Sequence, residues 1–470
     1  MRRLLALTAA ALSLAGCISL DPAYHRPVEP TPAAFPSGPA YPPRPPAIVP
    51  VVGWRDFFAD PRLKAVIDRA LTDNRDLRLA MANIAAARAQ VGVERSALLP
   101  HLGAQAGATF GEFPGGTINT GGGGRGTGSF HEHQYTAGLA SSWQIDLFGR
   151  IQSLTRAAQD QYFATREARD LAQINIVYAV AGDWLTLAAD RARLVVANET
   201  AVSGAATVAL TRQRFEGGIA SALDVAQAQT IFNQAQYDVG VLVTRVAQDK
   251  NALDLAVGAP VAEGLLPQGL GEPVVVLGRL PAGLDSRMLL GRPDVLQAED
   301  QLRATHADIG AARAAFFPSL SLTGSGGFTS TALSALFSGP AATWTFIPQI
   351  VAPIFEGGLN RANLRYARAQ REAAVATYEK TIQTAFREVA DALAGRGTID
   401  ARLAAQHRLV EAAAQYYRLA DARYRAGTDT YLNTLVAQRT LYVARLTLVQ
   451  AQFDQEDNMV TLYAVLGGGL

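Results

Sequence analysis

The sequence predicts a membrane β-barrel continued by a long α-helical barrel, assembled from an internally duplicated chain. Three observations predict it. A set of motifs recurs after about two hundred residues, two long stretches free of proline carry heptad spacing, and two pairs of short segments alternate apolar with small or polar residues.

The duplication comes first because it fixes the order of everything else. Arg75-Asp76-Leu77 opens an alanine-rich helix that ends at Ala97-Leu98-Leu99-Pro100-His101-Leu102, and Arg292-Pro293-Asp294-Val295 opens another that ends at Ala315-Phe316-Phe317-Pro318-Ser319-Leu320. Later, Arg214-Phe215-Glu216-Gly217-Gly218 with Leu223, Asp224 and Gln229 returns as Arg423-Tyr424-Arg425-Ala426-Gly427 with Leu432, Asn433 and Gln438. Each copy therefore reads helix, two strands, a very long helix, a turn and another helix. Between them, Pro260 to Pro281 is rich in proline and glycine and reads as a connector. The predicted organisation is a leader (1–16), an extended tether (17–53), a first repeat (54–263), a connector (264–283) and a second repeat (284–470).

The long helices follow from spacing. Leu171, Ile174, Tyr178, Ala181, Leu185 and Ala188 step by threes and fours, as do Val375, Tyr378, Ile382, Ala385, Val389 and Ala392. That is the stripe of helices packed side by side. A helix of roughly sixty residues, at 1.5 Å rise each, is on the order of 90 Å long, and a compact globule has no use for such a rod. A soluble coiled coil would explain these helices but not the segments before them.

Those segments are strands. Leu102, Ala104, Ala106, Ala108 and Phe110 alternate with glycine and polar residues, and Tyr135, Ala137, Leu139, Trp143, Ile145 and Leu147 do the same. In the second copy Leu320, Leu322 and Phe328 mark one strand, and Trp344, Phe346, Ile350 and Ile354 its return. Segments of about ten residues with one apolar face and interfacial tryptophans are the signature of barrel strands in a bilayer, although a soluble sandwich hairpin gives a similar pattern. Four strands are too few to close a barrel, and an open edge in lipid leaves costly unpaired backbone groups. Several copies of the chain must then share one barrel. Gly111 to Gln134 is glycine-rich and is expected to be an external loop.

Composition narrows the function. The net charge of +1 gives nucleic acid no electrostatic footing. No stretch after the N-terminus was expected to be apolar over the ~20 residues of a spanning helix, which leaves strands for insertion. Met1-Arg2-Arg3 and the apolar run Leu4 to Leu14 form a secretory leader ending at Leu14-Ala15-Gly16-Cys17. Cys17 is the only cysteine, so it makes no intramolecular disulfide. The run resembles a bacterial lipobox, which implies lipid attachment at Cys17; a chance cysteine at the end of a signal is the plainer alternative. Ile18, in place of the aspartate that commonly retains lipoproteins at the inner membrane, favours the outer one. Ser19 to about Pro50 is proline-rich and extended. An enzyme has little support. Of six histidines only His131-Glu132-His133 cluster, inside the glycine-rich segment, without the dispersed ligands of a metal site. There is neither a phosphate-binding glycine loop nor a nucleophile elbow. No cofactor and no metal are expected.

The opening run Trp54, Phe57, Asp60-Pro61, Leu63, Ile67, Ala70-Leu71 and Asn74-Arg75-Asp76-Leu77, with Arg292-Pro293-Asp294 and the ending Leu466-Gly467-Gly468-Gly469, resembles the TolC-like outer-membrane factors. The likeness is to the lipoprotein branch that includes OprM and the NodT-like proteins, and it spans nearly the whole mature chain. It implies a homotrimer with a twelve-stranded barrel and a coiled-coil periplasmic tunnel. It also implies a periplasmic adaptor protein and an inner-membrane pump, expected to be proton-driven. The function implied is the exit duct of a tripartite efflux system, with the duct of a type I protein secretion system or a coiled-coil surface lipoprotein as alternatives.

The same resemblance places the periplasmic tip at the two glycine turns. Gly217, Gly218, Ile219, Gly427 and Thr428 would meet the adaptor. Asp224 matches an aspartate of the first turn, and Tyr424 a tyrosine able to hydrogen-bond to it. Leu432 falls where OprM-like proteins place a constricting leucine. Two departures stand out: Asp429 occupies the place of a lock arginine, and Val436 that of an aspartate lining the pore. Closure is therefore expected through a ring of Leu432 and Asn433.

Overall fold

The computed structural model describes residues 19–41, 53–113, 130–271, 274–275 and 285–469. The leader, Cys17, the middle of the glycine-rich segment and much of the connector lie outside the described residues. The first copy contains α1 (Trp54–Phe57), α2 (Pro61–Asp73), α3 (Arg75–Ser96), β1 (His101–Phe113), β2 (Phe130–Ile145), α4 (Arg150–Glu216) and α5 (Ala222–Val257). The second contains α6 (Pro293–Ala314), β3 (Ser319–Ser330), β4 (Ala342–Val351), α7 (Leu359–Arg425) and α8 (Tyr431–Val465). The predicted order holds in both.

The opening motif is capping chemistry. The Asp60 carboxylate accepts from the backbone of Arg62 and Leu63, with Pro61 in the first turn where its missing N–H costs nothing. Burial alone would raise the Asp60 pKa, but its hydrogen bonds and ion pair with Arg62 bring it below the usual range. Asn74 begins α3 in the same way: its Oδ1 accepts from Asp76 and Leu77, while its Nδ2 donates to the Ala256 carbonyl at the end of α5.

Both α4 and α7 run for 67 residues. In α7 the predicted stripe of Tyr378, Ile382, Ala385, Val389 and Ala392 is buried. In α4 Ile174, Ala181, Leu185 and Ala188 are buried, but Tyr178 is 37% exposed, and Val177 and Val180 take its place inward. The expectation of no further spanning-length apolar stretch is also corrected. An 18-residue window of α4 reaches a mean hydropathy of 1.3, enough by length and composition alone to cross a bilayer. Only 28% of that window is buried, and it lies within a helix of 67 residues, far longer than a single span.

The four strands form one antiparallel sheet in the order β1-β2-β3-β4. Leu102 to Phe110 at even numbers, Tyr135 to Ile145 at odd numbers, and Leu320 to Phe328 and Trp344 to Ile350 at even numbers all share one face. The registers Ala104↔Leu139, Trp143↔Leu322 and Leu320↔Ile350 put them there. Leu102, Phe110, Leu139, Trp344, Phe346 and Ile350 on this face are exposed. Strand ends differ from expectation. Pairing continues through Phe110↔His133, Gly111↔Glu132 and Glu112↔His131, so the histidine cluster lies in strand β2 rather than in a loop. Leu147 and Ile354 fall beyond the ends of β2 and β4.

The chain divides into two compact units, and neither is one repeat. The first holds the described parts of Met1–Pro27, Ile84–Ala164 and Glu299–Thr377, and so contains the sheet; the second holds Val28–Asn83, Thr165–Ala298 and Tyr378–Leu470. The described residues of the predicted tether, 19–41, are docked on both units. In the first unit Arg313 donates to the Leu20 carbonyl at 2.9 Å, Ser153 Oγ and Arg156 Nε donate to Asp21, and Tyr24 and Arg26 donate to Glu299. A Cβ on Gly310 would sit 1.7 Å from Asp21 Oδ1, so only glycine lets this strap lie on α6. In the second unit the Phe35 ring stacks on Phe386 at 4.8 Å.

Candidate functional site

The α4–α5 and α7–α8 turns are two versions of one helix stop. Gly218 and Gly427 adopt φ of 72° and 77°, the left-handed region that a side chain disfavours. The Ile219 N–H closes on the Arg214 carbonyl at 2.8 Å, and Thr428 N–H on the Arg423 carbonyl at 3.1 Å, satisfying the last helical acceptors. Gly217, Gly218, Ile219, Gly427 and Thr428 thus lie in these turns, as predicted, with Ile219 74% exposed.

The helices that follow are started differently. Ser221 and Asp224 form a capping box: Ser221 Oγ accepts from the Asp224 N–H, and Asp224 Oδ2 accepts from the Ser221 N–H. Thr430, the equivalent of Ser221, makes no side-chain cap. Asp429 organises the second turn instead, accepting from Asn433 Nδ2 at 2.8 Å, from Thr430 N–H at 2.8 Å and from Arg423 Nε at 3.1 Å. The Asn433 hydrogen bond foremost, then Thr430 and Arg423, hold the Asp429 carboxyl below the usual carboxylate range.

Within the chain, two of these residues are engaged elsewhere. Tyr424 does not bond to Asp224. Its hydroxyl donates to Thr211 Oγ1 at 3.4 Å, and its ring is buried edge-on to Tyr431 in a cluster with Ala228, Ile231 and Leu435. Asp224 is already engaged by its own capping box. Asn433 Nδ2 donates to Asp429 within its own turn. Leu432 and Val436 do lie together on an exposed face of α8, with Leu432 51% exposed.

Sequence reasoning missed Arg214. Its guanidinium donates to the Tyr424 carbonyl at 2.7 Å and to the Arg425 carbonyl at 3.3 Å, and it lies over the Tyr424 ring at 4.6 Å. A cation at a helix C-terminus meets orphan carbonyls and the negative end of the dipole together. Arg214 thereby clasps the end of α7 to the end of α4. Its counterpart Arg423 turns to Asp429 instead. The recurrence of arginine at one place in both motifs was the available signal.

The profile of the outer membrane efflux protein family matches the chain twice, over residues 66–259 and 284–468. The solvent efflux pump outer membrane protein SrpC of Pseudomonas putida is 42% identical over 463 residues, which are 98% of this chain and 97% of SrpC. A crystal structure of a membrane protein from Pseudomonas aeruginosa superposes with a TM-score of 0.87 at 38% identity, covering 96% of this chain and 98% of that one. The open state of the Neisseria gonorrhoeae MtrE outer membrane channel gives 0.83 at 33% identity, covering 96% and 98%. The duplication read from the motifs coincides with the two matched stretches, and the chain belongs to the outer membrane efflux protein family, as an efflux exit duct rather than an enzyme.

Proposed function

We propose that this chain works as a lipid-anchored homotrimer, with acylated Cys17 as its mature N-terminus and twelve strands shared between three copies. The observation that carries the reading is the four-stranded sheet, whose β1 and β4 edges are free within the chain and whose one face is mostly apolar from Leu102 to Phe110 and along β2, β3 and β4. Such a sheet meets the demands of lipid only when further copies cover its edges. The two glycine turns form the periplasmic tip, where Gly217, Gly218, Ile219, Gly427 and Thr428 meet a periplasmic adaptor. An inner-membrane pump, proton-driven in this reading, supplies the energy, and the duct takes its substrate choice from that pump.

At the tip, Leu432 and Val436 supply an apolar constriction, Arg423, Asp429 and Asn433 hold its turn, and Arg214 clasps the two turns of one chain. Asp224 and Tyr424 act within one chain, as a cap and as a core residue between the two repeats. Native mass spectrometry in detergent tests the assembly, with a trimer expected. Conductance in a planar bilayer tests the duct. A stable monomer that keeps its β-signal and conducts nothing overturns the reading.

A further inference from the structure

The duplication is regular enough to specify how one copy of the chain meets the next. From His101 to Ser319 the repeat shift is 218 residues; from Ser142 to Val351 it is 209. The hairpin pair His101↔Ser142 becomes, under these two shifts, Ser319↔Val351, which is the pair the second hairpin makes. The shift of 209 recurs in the left-handed glycines Gly149 and Gly358, in the helix starts Arg150 and Leu359, and in Gly218 and Gly427. The two hairpins are therefore superposable units in register as well as in order.

Within the chain the first hairpin joins the second through β2 and β3. The remaining edges, β4 and β1, are the repeat equivalents of β2 and β3. Applying the same shifts to the β2–β3 register takes Tyr135↔Ser330 to Trp344 and Glu112, Ala137↔Phe328 to Phe346 and Phe110, and Ser142↔Thr323 to Val351 and Gln105. We infer that β4 pairs antiparallel with β1 of a second copy in this register, with Phe346 opposite Phe110 of the partner subunit and Val351 opposite Gln105 of the partner subunit. The inference rests on the reading that several copies close one barrel, and it adds which residues meet.

The faces agree. Even-numbered residues carry the apolar side of both β4 and β1, and this register joins even to even, so the apolar face continues across the seam. A slip of one residue would set Phe346 against the polar side and invert the face of every residue beyond it. A slip of two keeps the faces, and only the inherited register excludes it. Pro348 has no N–H to give, so one of the two ladders flanking β4 carries one bond fewer, which leaves the register unchanged. The seam differs from its intrachain counterpart at one rung. Gly138 and Gly327 approach so closely that a Cβ on Gly327 would lie 2.3 Å from the Ala137 carbonyl oxygen, and their equivalents at the seam are Ile347 and Thr109. The seam is thus expected to be wider at this rung than the β2–β3 junction.

Cysteine pairs in the full-length chain test the register. Phe346→Cys with Phe110→Cys and Ile350→Cys with Ala106→Cys should form intersubunit disulfides on mild copper oxidation, seen as dimer and trimer bands. Directly opposite Cβ atoms lie ~4.5–5.5 Å apart and diagonal ones ~7–8 Å. The shifted pairs Phe346→Cys with Ala108→Cys, and Phe346→Cys with Glu112→Cys, should therefore form disulfides at least about tenfold more slowly, given the close Cβ spacing a disulfide needs. Single-cysteine variants set the background, and native mass spectrometry confirms that each variant assembles. Faster cross-linking of a shifted pair in an assembled oligomer overturns the register but not the shared barrel. A wild-type chain that never assembles overturns both.

Discussion

Replacing Arg214 with alanine removes one guanidinium that serves two carbonyls and one ring at the tip. A hydrogen bond from a charged donor contributes about 1.5–3 kcal/mol net, and a partly exposed cation–ring contact adds about 0.5–1 kcal/mol. These contacts share a single side chain and do not add fully, so the loss is about 2–3 kcal/mol. At ~1.4 kcal/mol per tenfold, an equilibrium between clasped and parted turns moves by roughly 30- to 150-fold toward the parted state. Single-channel recording in planar bilayers is the assay, with a larger open probability expected for Arg214→Ala. Arg214→Lys should fall between, because an ammonium keeps the charge but loses the fork that spans Tyr424 and Arg425. Trimer content by native mass spectrometry separates gating from misassembly. An unchanged open probability in a fully assembled Arg214→Ala trimer refutes the idea that this clasp restrains the tip.

Three further outcomes are expected. Cys17→Ser should abolish fatty-acid labelling, while the strap at Asp21 and Glu299 leaves the barrel able to assemble; an intact mass without acyl chains in the wild type counts against the anchor. Burial foremost, then Asp190 and Asp183 nearby, pushes the Asp249 carboxyl up to about 6 from 3.8. The folded state then binds its proton more tightly than the unfolded chain, so this group's contribution to stability is present below pH ~4 and is lost as pH rises through about 6. Asp249→Asn should raise the melting temperature at pH 8 and change it little at pH 4, and an equal shift at both would exclude this cause. Leu432→Ala should widen the constriction and raise conductance, whereas Asn433→Ala should act by loosening Asp429; equal conductance of Leu432→Ala and wild type would place the constriction elsewhere.

The elements that sequence made legible are those set by local periodicity. Heptads gave α4 and α7, period-two alternation gave the strands, and Asp60-Pro61 and Asn74-Arg75-Asp76 are caps whose chemistry is complete within a few residues. What stayed hidden needed partners distant in sequence. Tyr178 fits the spacing of its stripe but faces outward, because the packing partner of α4, not its own period, decides which residues turn in. The segment from Gly111 to Gln134 reads as loop for its glycines, yet the ladder carries on to Phe113↔Phe130, since the residues at its two ends are mostly not glycine and find partners across the hairpin. The strap was legible as extended chain but not as docked chain: Arg313 and Leu20, or Glu299 and Arg26, lie some hundreds of residues apart. At the tip the motif was visible and its wiring was not. Tyr424 could be aligned with a tyrosine that bonds to an aspartate, but its hydroxyl goes to Thr211.

The duplication also shows where the two copies have been free to diverge. Several wall-building features recur: α4 and α7 have the same length, the two hairpins share a register, and the left-handed glycines Gly149 and Gly218 return as Gly358 and Gly427. The divergence falls at the turns. In copy one, Ser221 and Asp224 close a capping box with reciprocal bonds to the backbone, and such a cap contributes about 1 kcal/mol. In copy two, the Ser221 equivalent gives no cap, and Asp429 accepts from the Thr430 N–H, from Asn433 and from Arg423, whose side chain is 64% exposed. An ion pair so exposed contributes only about 0–1 kcal/mol and is screened by salt. The two turns of one chain therefore differ in how firmly they are built, and the clasp from Arg214 runs from the firmer turn to the looser one. Of the two turns of one chain, the more compliant belongs to the second copy, on the helix that also presents Leu432 and Val436.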